Sequence, residues 1–295
     1  MAANILNYNA HGKQDRLLLG ISLMILGEAF FVVTGAIIKQ LSTELPLVQI
    51  MFFRNFFGFL FTNILIYRTG FSSLKSQQLG TQIMRGLVGI TAMGFMVFSY
   101  SQLQLTEATL LKATTPLFIP VIALILLAEK VKPLTWIAIL LAFVGVLVII
   151  SPDIKEMQIS IGWIAGLLAA LFAALAKVLV RKLGRTDPSE VIMFYFSLIG
   201  TLVTLPFMLL HWQEMTSINW MLVIGLGLFA TFGQYCLTKA YTVAKAGRIG
   251  LYGYSSLPVA GLIGWFIWDE SISILLGIGM LIIIAAGILN YRAKI

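Results

Sequence analysis

The sequence predicts an all-α integral membrane protein of ten transmembrane helices, arranged as two inverted five-helix repeats. Three observations carry that expectation: an extreme apolar content, apolar runs of one recurring length, and polar landmarks that repeat between the two halves. Of the 295 residues, 59% are hydrophobic and 11% charged, and the mean hydropathy is +0.96. Soluble domains run near 45–50% apolar and about 25% charged. A soluble fold of this length has too little interior for so much apolar surface, so lipid must be the solvent. Lipid offers no hydrogen bonds, which restricts spanning structures to helices or closed barrels. Runs such as Pro133–Ser151 show no barrel alternation and reach the roughly 20 residues of a spanning helix.

Taken in order, the apolar windows place spans at 17–38, 47–67, 81–101, 106–128, 133–151, 160–180, 190–210, 218–240, 247–267 and 272–291. The segments between them are short. The organisation expected is a tail over 1–16, a first repeat over 17–151 and a second over 160–291. The tail is polar and the run after it lacks a small-residue cleavage site, so no cleaved leader is expected.

Basic residues mark one set of loops. With the tail placed in the cytoplasm, that side collects Lys13, Arg16, Arg68, Lys75, Lys130, Lys132, Arg181, Lys182, Arg185, Lys239, Lys245, Arg248, Arg292 and Lys294. The other side holds only Lys39 and Lys155, with Glu44, Asp153, Glu156, Glu214, Asp269 and Glu270. The bias of short loops thus predicts cytoplasmic termini. Short loops and the absence of N-x-[ST] acceptors and organelle signals favour a bacterial inner membrane. The net charge of +8 sits at the ends of apolar runs and forms no patch, which argues against nucleic acid.

The halves match. One offset of 141 residues separates Tyr100 from Tyr241 and Glu129 from Glu270. An offset of 142 separates Pro46 from Pro188, Met51 from Met193 and Lys39 from Arg181. Five spans per copy is odd, so the second copy enters the membrane inverted. Exchange of conformation between inverted halves is one route to alternating access.

The run Leu105-Thr-Glu-Ala-Thr-Leu-Leu, then Thr115-Pro-Leu-Phe, Ala128-Glu129, Thr135-Trp136 and Gly145-Val-Leu-Val-Ile, resembles the EamA-type repeat of the drug/metabolite transporter superfamily. The second copy, from Pro258 through Asp269-Glu270 to Gly287, is similar. Ala128 and Asp269 stand where the repeat usually has glycine before its glutamate, and Arg54 falls where the family often has an arginine. The resemblance covers essentially the whole chain. It implies a ten-helix carrier of small metabolites, among them amino acids, cofactors and S-adenosylmethionine.

Charged groups inside spans are costly, about 2.5–3.5 kcal/mol each at the bilayer centre, and so mark functional positions. Glu28 lies near the midplane of the first span, and Arg54 and Lys112 lie in the second and fourth. Their repeat mates, Ala170, Phe196 and Gly253, are uncharged, which predicts a lopsided polar cavity. Arg54 is the candidate carboxylate contact, through bidentate hydrogen bonds. An apolar setting favours a neutral carboxyl and a neighbouring cation favours the ionised form. Glu28 is accordingly the candidate for proton coupling or for a substrate amine, with an internal Glu28–Arg54 pair as the alternative. Arg85 and Lys177 sit nearer the membrane edge, where long stems are expected to snorkel to headgroups.

The ninth span opens Gly250-Leu-Tyr-Gly-Tyr-Ser-Ser-Leu-Pro258, a composition that loosens a helix and offers Tyr252, Tyr254 and Ser255 to a solute. Thr115 beside Pro116, and Gln234 in the eighth span, complete the candidate site. Indoles such as Trp212 and Trp220 belong at the interface. With one cysteine, Cys236, and two separated histidines, neither a disulfide framework nor a metal site is expected. No phosphate-binding loop or catalytic motif is present, so neither enzyme nor cofactor is expected. The expected activity is secondary active transport, in the export direction, of a small polar metabolite bearing a carboxylate, such as an amino acid. The rivals are a carrier of a larger cofactor such as S-adenosylmethionine, a channel, and a non-transporting scaffold. The expected partners are that solute, the lipid bilayer and, through Glu28, protons.

Overall fold

The computed structural model describes residues 16–69, 74–102, 111–150, 161–259 and 274–292. Asp269, Glu270, Trp265 and Trp268 lie outside the described residues, as does the ninth span beyond 259. Among the described residues the secondary structure is entirely helical.

The helices are α1 (Leu17–Leu41), α2 (Leu47–Thr69), α3 (Leu79–Gln102), α4 (Thr115–Leu127) and α5 (Pro133–Ile150). They continue as α6 (Ile161–Leu183), α7 (Ser189–Leu210), α8 (Ser217–Val243), the short α9 (Ala246–Ile249) and α10 (Ile274–Arg292). A 3-10 segment, Gly250–Ser255, continues directly from α9. Helices α1, α2, α3, α6, α7 and α8 are long and apolar enough to cross a membrane, while α4, α5 and α10 contain shorter apolar helices. Side chains such as Ile125, Leu210 and Leu281 are exposed on the outside of the bundle, as helices in a lipid solvent allow.

Helix pairing follows a pattern. Helix α1 packs along α8, α3 along α6, α2 along α7, and α5 along α10. Small residues allow the closest of these approaches. A Cβ on Gly145 would lie 2.9 Å from the Gly279 carbonyl oxygen across the α5–α10 seam. On the α1–α8 seam a Cβ on Gly27 would lie 3.1 Å from the Gly233 oxygen. Without a hydrophobic drive between helices, such backbone contact is what membrane helices use to associate.

Two of the expected spans are broken. The fourth, expected as one helix over 106–128, turns at residues 113–114 and restarts at Thr115. The Thr114 and Thr115 hydroxyls donate to the carbonyls of Leu111 and Lys112 at 2.6 and 2.7 Å. Pro116 follows, without an N–H to continue the ladder. The ninth changes from α9 to the 3-10 segment across Gly250 and Gly253. At the far end of α4, Ala128 takes a left-handed conformation, φ 53°. Its position is the one where the resembling repeat has glycine, the residue that reaches this region without strain.

The ends of the bundle sort the loops. On one end the Arg16 N–H donates to the Val243 carbonyl at 3.0 Å. There too Asp187 accepts from Ser76, from the Gln77 N–H at 3.1 Å and from Gln82 at 2.8 Å. Asn290 donates to the Arg248 carbonyl at 2.9 Å. This end holds the basic loops. At the other end Gln49 and Gln213 exchange two 2.9 Å hydrogen bonds, and Asn219 donates to Glu44 at 2.9 Å. Trp212 and Trp220 lie there, both half exposed and edge-on to Phe53.

Candidate solute site within the bundle

Arg54 lies on the face of α2 that meets α7 and α8. It lines a narrow cavity of about 20 Å³ with Asn55, Gly58 and Thr62 of α2, Met193, Phe196 and Ser197 of α7, and Ala230, Thr231 and Gln234 of α8. That volume admits a water molecule and no solute. Gln234, predicted for the site from sequence, thus shares a cavity with Arg54. Its amide donates to Thr238 at 3.0 Å. The only polar contact of the Arg54 guanidinium among the described residues is Nη1 to the Met93 sulfur, 3.7 Å. A thioether is a weak acceptor, so the guanidinium keeps most of its donors for something else.

Arg85 departs from expectation. Its stem does not run to the membrane edge. The side chain turns inward, is 4% exposed, and lays its guanidinium 3.7 Å from the centre of the Phe196 ring. Nε and Nη1 have no hydrogen-bond partner among the described residues. A desolvated cation–π contact contributes about 2 kcal/mol, less than the several kcal/mol that burial costs a lone ion. Sequence position reports distance from the edge but not the direction of the stem. The available signal is Gly89, one turn along α3: a Cβ there would lie 2.7 Å from Arg85 Nη1.

Glu28 occupies a second region. It is buried, 4% exposed, and approaches the 3-10 segment so closely that a Cβ on Gly253 would lie 3.6 Å from its Oε1. Lys177 of α6 lies within electrostatic range of both Glu28 and Lys112, and Tyr241 within range of Glu28. The expected alternative of a Glu28–Arg54 pair does not occur. Among the described residues the ion pairs all involve Glu129. Lys112 is exposed, beside the break before α4.

The remaining candidates divide. Thr115 is buried and its hydroxyl is committed to the Lys112 carbonyl. Tyr252 donates to the Gly287 carbonyl at 3.0 Å, tying the 3-10 segment to α10. Tyr254 is buried in the apolar core with its hydroxyl unpartnered among the described residues, and the half-buried Ser255 hydroxyl is likewise unpartnered.

Sequence reasoning also misses what Glu129 does. Its Oε1 accepts from Arg181 Nε at 2.9 Å and lies 3.6 Å from Arg185 Nη2. Its Oε2 accepts from the Ala246 N–H at 3.1 Å, and Arg181 Nη1 donates to the Thr242 carbonyl at 3.1 Å. One carboxylate therefore ties the end of α4 to α6, α8 and α9 at the basic end.

A model of the EamA-like transporter family matches residues 18–151 and again residues 160–292. The chain belongs to the EamA-like transporter family. It is an integral membrane protein and a transporter of small molecules, as its family is. It is 28% identical over 284 residues to the pseudopaline exporter of Pseudomonas aeruginosa, covering 95% of this chain and 98% of that protein. It is 25% identical over 232 residues to an S-adenosylmethionine uptake transporter of Rickettsia prowazekii, covering 79% and 78%. A solved structure superposes with a TM-score of 0.78 at 17% identity, over 93% of this chain and 99% of the other. That last likeness concerns the fold alone.

Proposed function

We propose that this EamA-like protein is a secondary active transporter that exports a small polar metabolite through its carboxylate, by alternating access between two inverted repeats. The observation that carries the reading is Arg54. It lines a cavity between α2, α7 and α8 with no carboxylate partner among the described residues. A guanidinium in a low-dielectric site favours a planar anion that takes two of its donors.

The pairing of helices supports inverted repeats. Exchanging the halves turns the α1–α8 pair into α6–α3 and returns α2–α7 and α5–α10 to themselves. The helices are tied together at both ends of the bundle, by the Glu129 clamp on one and by the Gln49–Gln213 and Glu44–Asn219 contacts on the other. Opening one while keeping the other gives the two access states. In this reading the basic end faces the cytoplasm of a bacterial cell. Glu28, near Lys177 and Gly253, is the group through which proton movement couples to solute.

The names of two relatives widen the choice of solute. Pseudopaline and S-adenosylmethionine belong beside amino acids in any panel. Purified protein in detergent is tested by thermal shift, and protein in liposomes by counterflow. A ligand at a hundred times its Kd stabilises by about 2.7 kcal/mol. The expected result is stabilisation by a zwitterion with a free carboxylate and not by its amide, with counterflow that saturates. Conductance without saturation would instead make the protein a channel and end this reading.

A further inference from the structure

We propose that Arg85 is the second cation of the solute site, and that the site takes a dianion: a solute with two carboxylates, or with a phosphate. The inference rests on the reading of the Arg54 cavity as the solute site and adds the charge of what enters it.

Four observations converge. Phe196 forms part of the wall of the Arg54 cavity, and the Arg85 guanidinium lies on that same ring. Arg85 is within electrostatic range of Arg54. Two of its nitrogens are buried without a hydrogen-bond partner, and the ion pairs of the described residues are all at Glu129, at the basic end. Gly89 makes room for the guanidinium against the ring, since a Cβ there would meet Arg85 Nη1 at 2.7 Å and Phe196 Cε2 at 2.9 Å.

Two like charges in a desolvated interior repel each other more strongly than in water. Burying Arg85 and half-burying Arg54 without acids opposes the ordinary rule that interior charges are paired. An anion between them reverses both terms, and two planar guanidiniums present enough donors for two carboxylates or for one phosphate. A solute with one carboxylate satisfies Arg54 and leaves Arg85 as it is now. A purely structural Arg85, stacked on Phe196 to join α3 to α7, would be indifferent to ligand charge.

The test is a thermal-shift titration of the full-length protein in detergent at constant ionic strength. The probes are malonate, succinate, glutarate and adipate, each beside its monomethyl ester, with inorganic phosphate and glycerol phosphate as the second source. Glycine, alanine and glutamate serve as amino-acid references. The expected result is one diacid or phosphate that binds about tenfold more tightly than its singly charged counterpart. R85Q abolishes that preference, and R85K, which keeps the charge, retains it. If R85Q yields no monodisperse protein, R85M replaces it, since its apolar stem still covers Phe196. Preference for phosphate over every diacid keeps the dianion and assigns it to a phosphate ester. Equal binding of diacids and their monoesters overturns the proposal, as does a preference that survives removal of the Arg85 charge. Binding of amino acids with no gain from a second charge overturns this proposal alone. Failure of every carboxylate and phosphate overturns it together with the carboxylate reading of Arg54.

Discussion

The two halves of the chain match the same family model and pack by the same rules, yet they carry charge differently. In the first half Glu28, Arg54 and Arg85 are buried or half-buried within the bundle and Lys112 is exposed at the break before α4, while in the second Lys177 is a half-buried cation within a span. Where the first half has Arg54, the second has Phe196, and the fold brings that arginine and that phenylalanine to one cavity. Where the first half has Lys112, the second has Gly253, and Gly253 lies beside the Glu28 carboxylate. Symmetric packing thus joins a charged residue to the space or the ring supplied by the uncharged half. The repeat governs helix seams, while the site arises from what the repeat does not share.

A seam offers the largest effect. Gly145→Leu forces a branched side chain against the Gly279 carbonyl. Overpacking there should cost about 3 kcal/mol, seen as a lower melting temperature and loss of the monodisperse peak in size exclusion. A tolerated leucine would mean that the two halves are not held by this contact. Next comes the charge. Arg54→Ala should leave the melting temperature of the free protein near wild type, while solute affinity falls by about thirtyfold, the equivalent of about 2 kcal/mol for a hydrogen-bonded ion. Wild-type affinity in that variant would remove Arg54 from the site.

The clamp at the basic end is a smaller target. Glu129→Gln leaves Arg181, whose side chain is 15% exposed, without its carboxylate, and loosens the weaker contact to the half-exposed Arg185. The expected loss is about 1–2 kcal/mol for a partly buried, hydrogen-bonded pair. Cysteine labelling at Lys245→Cys should also speed up if that end opens more often. Unchanged labelling with lowered stability would make the clamp a brace and not a gate. The smallest effect has the opposite sign. Ala128→Gly relieves a left-handed alanine and should stabilise by about 1 kcal/mol, read as a rise in melting temperature.

Much of this architecture is legible in the amino-acid sequence. Apart from the fourth and ninth, the expected spans coincide with helices whose ends shift by a few residues, because a run of apolar residues in lipid has no alternative to a helix. The weak points of the fourth and ninth spans are visible too, since Pro116 has no N–H for the ladder and Gly250 and Gly253 disfavour a regular helix. Gln234 and Arg54 are expected in one site and share one cavity. Other expectations place the right residue in the wrong surroundings. Tyr252, expected to face a solute, instead holds α10.

Local composition and length suffice to dictate the solvent, the helices and the grouping of basic loops at one end. Which charged group meets which is a matter of tertiary packing. Arg85 and Phe196 belong to different halves, and Glu129 meets Arg181 and Ala246 from elements far apart in the chain. A helix has several faces, and an axial position does not say which one turns inward. Only the packing of α2, α3, α7 and α8 turns two arginines toward a common wall, and only the approach of α4 to α6 and α9 makes Glu129 a clamp.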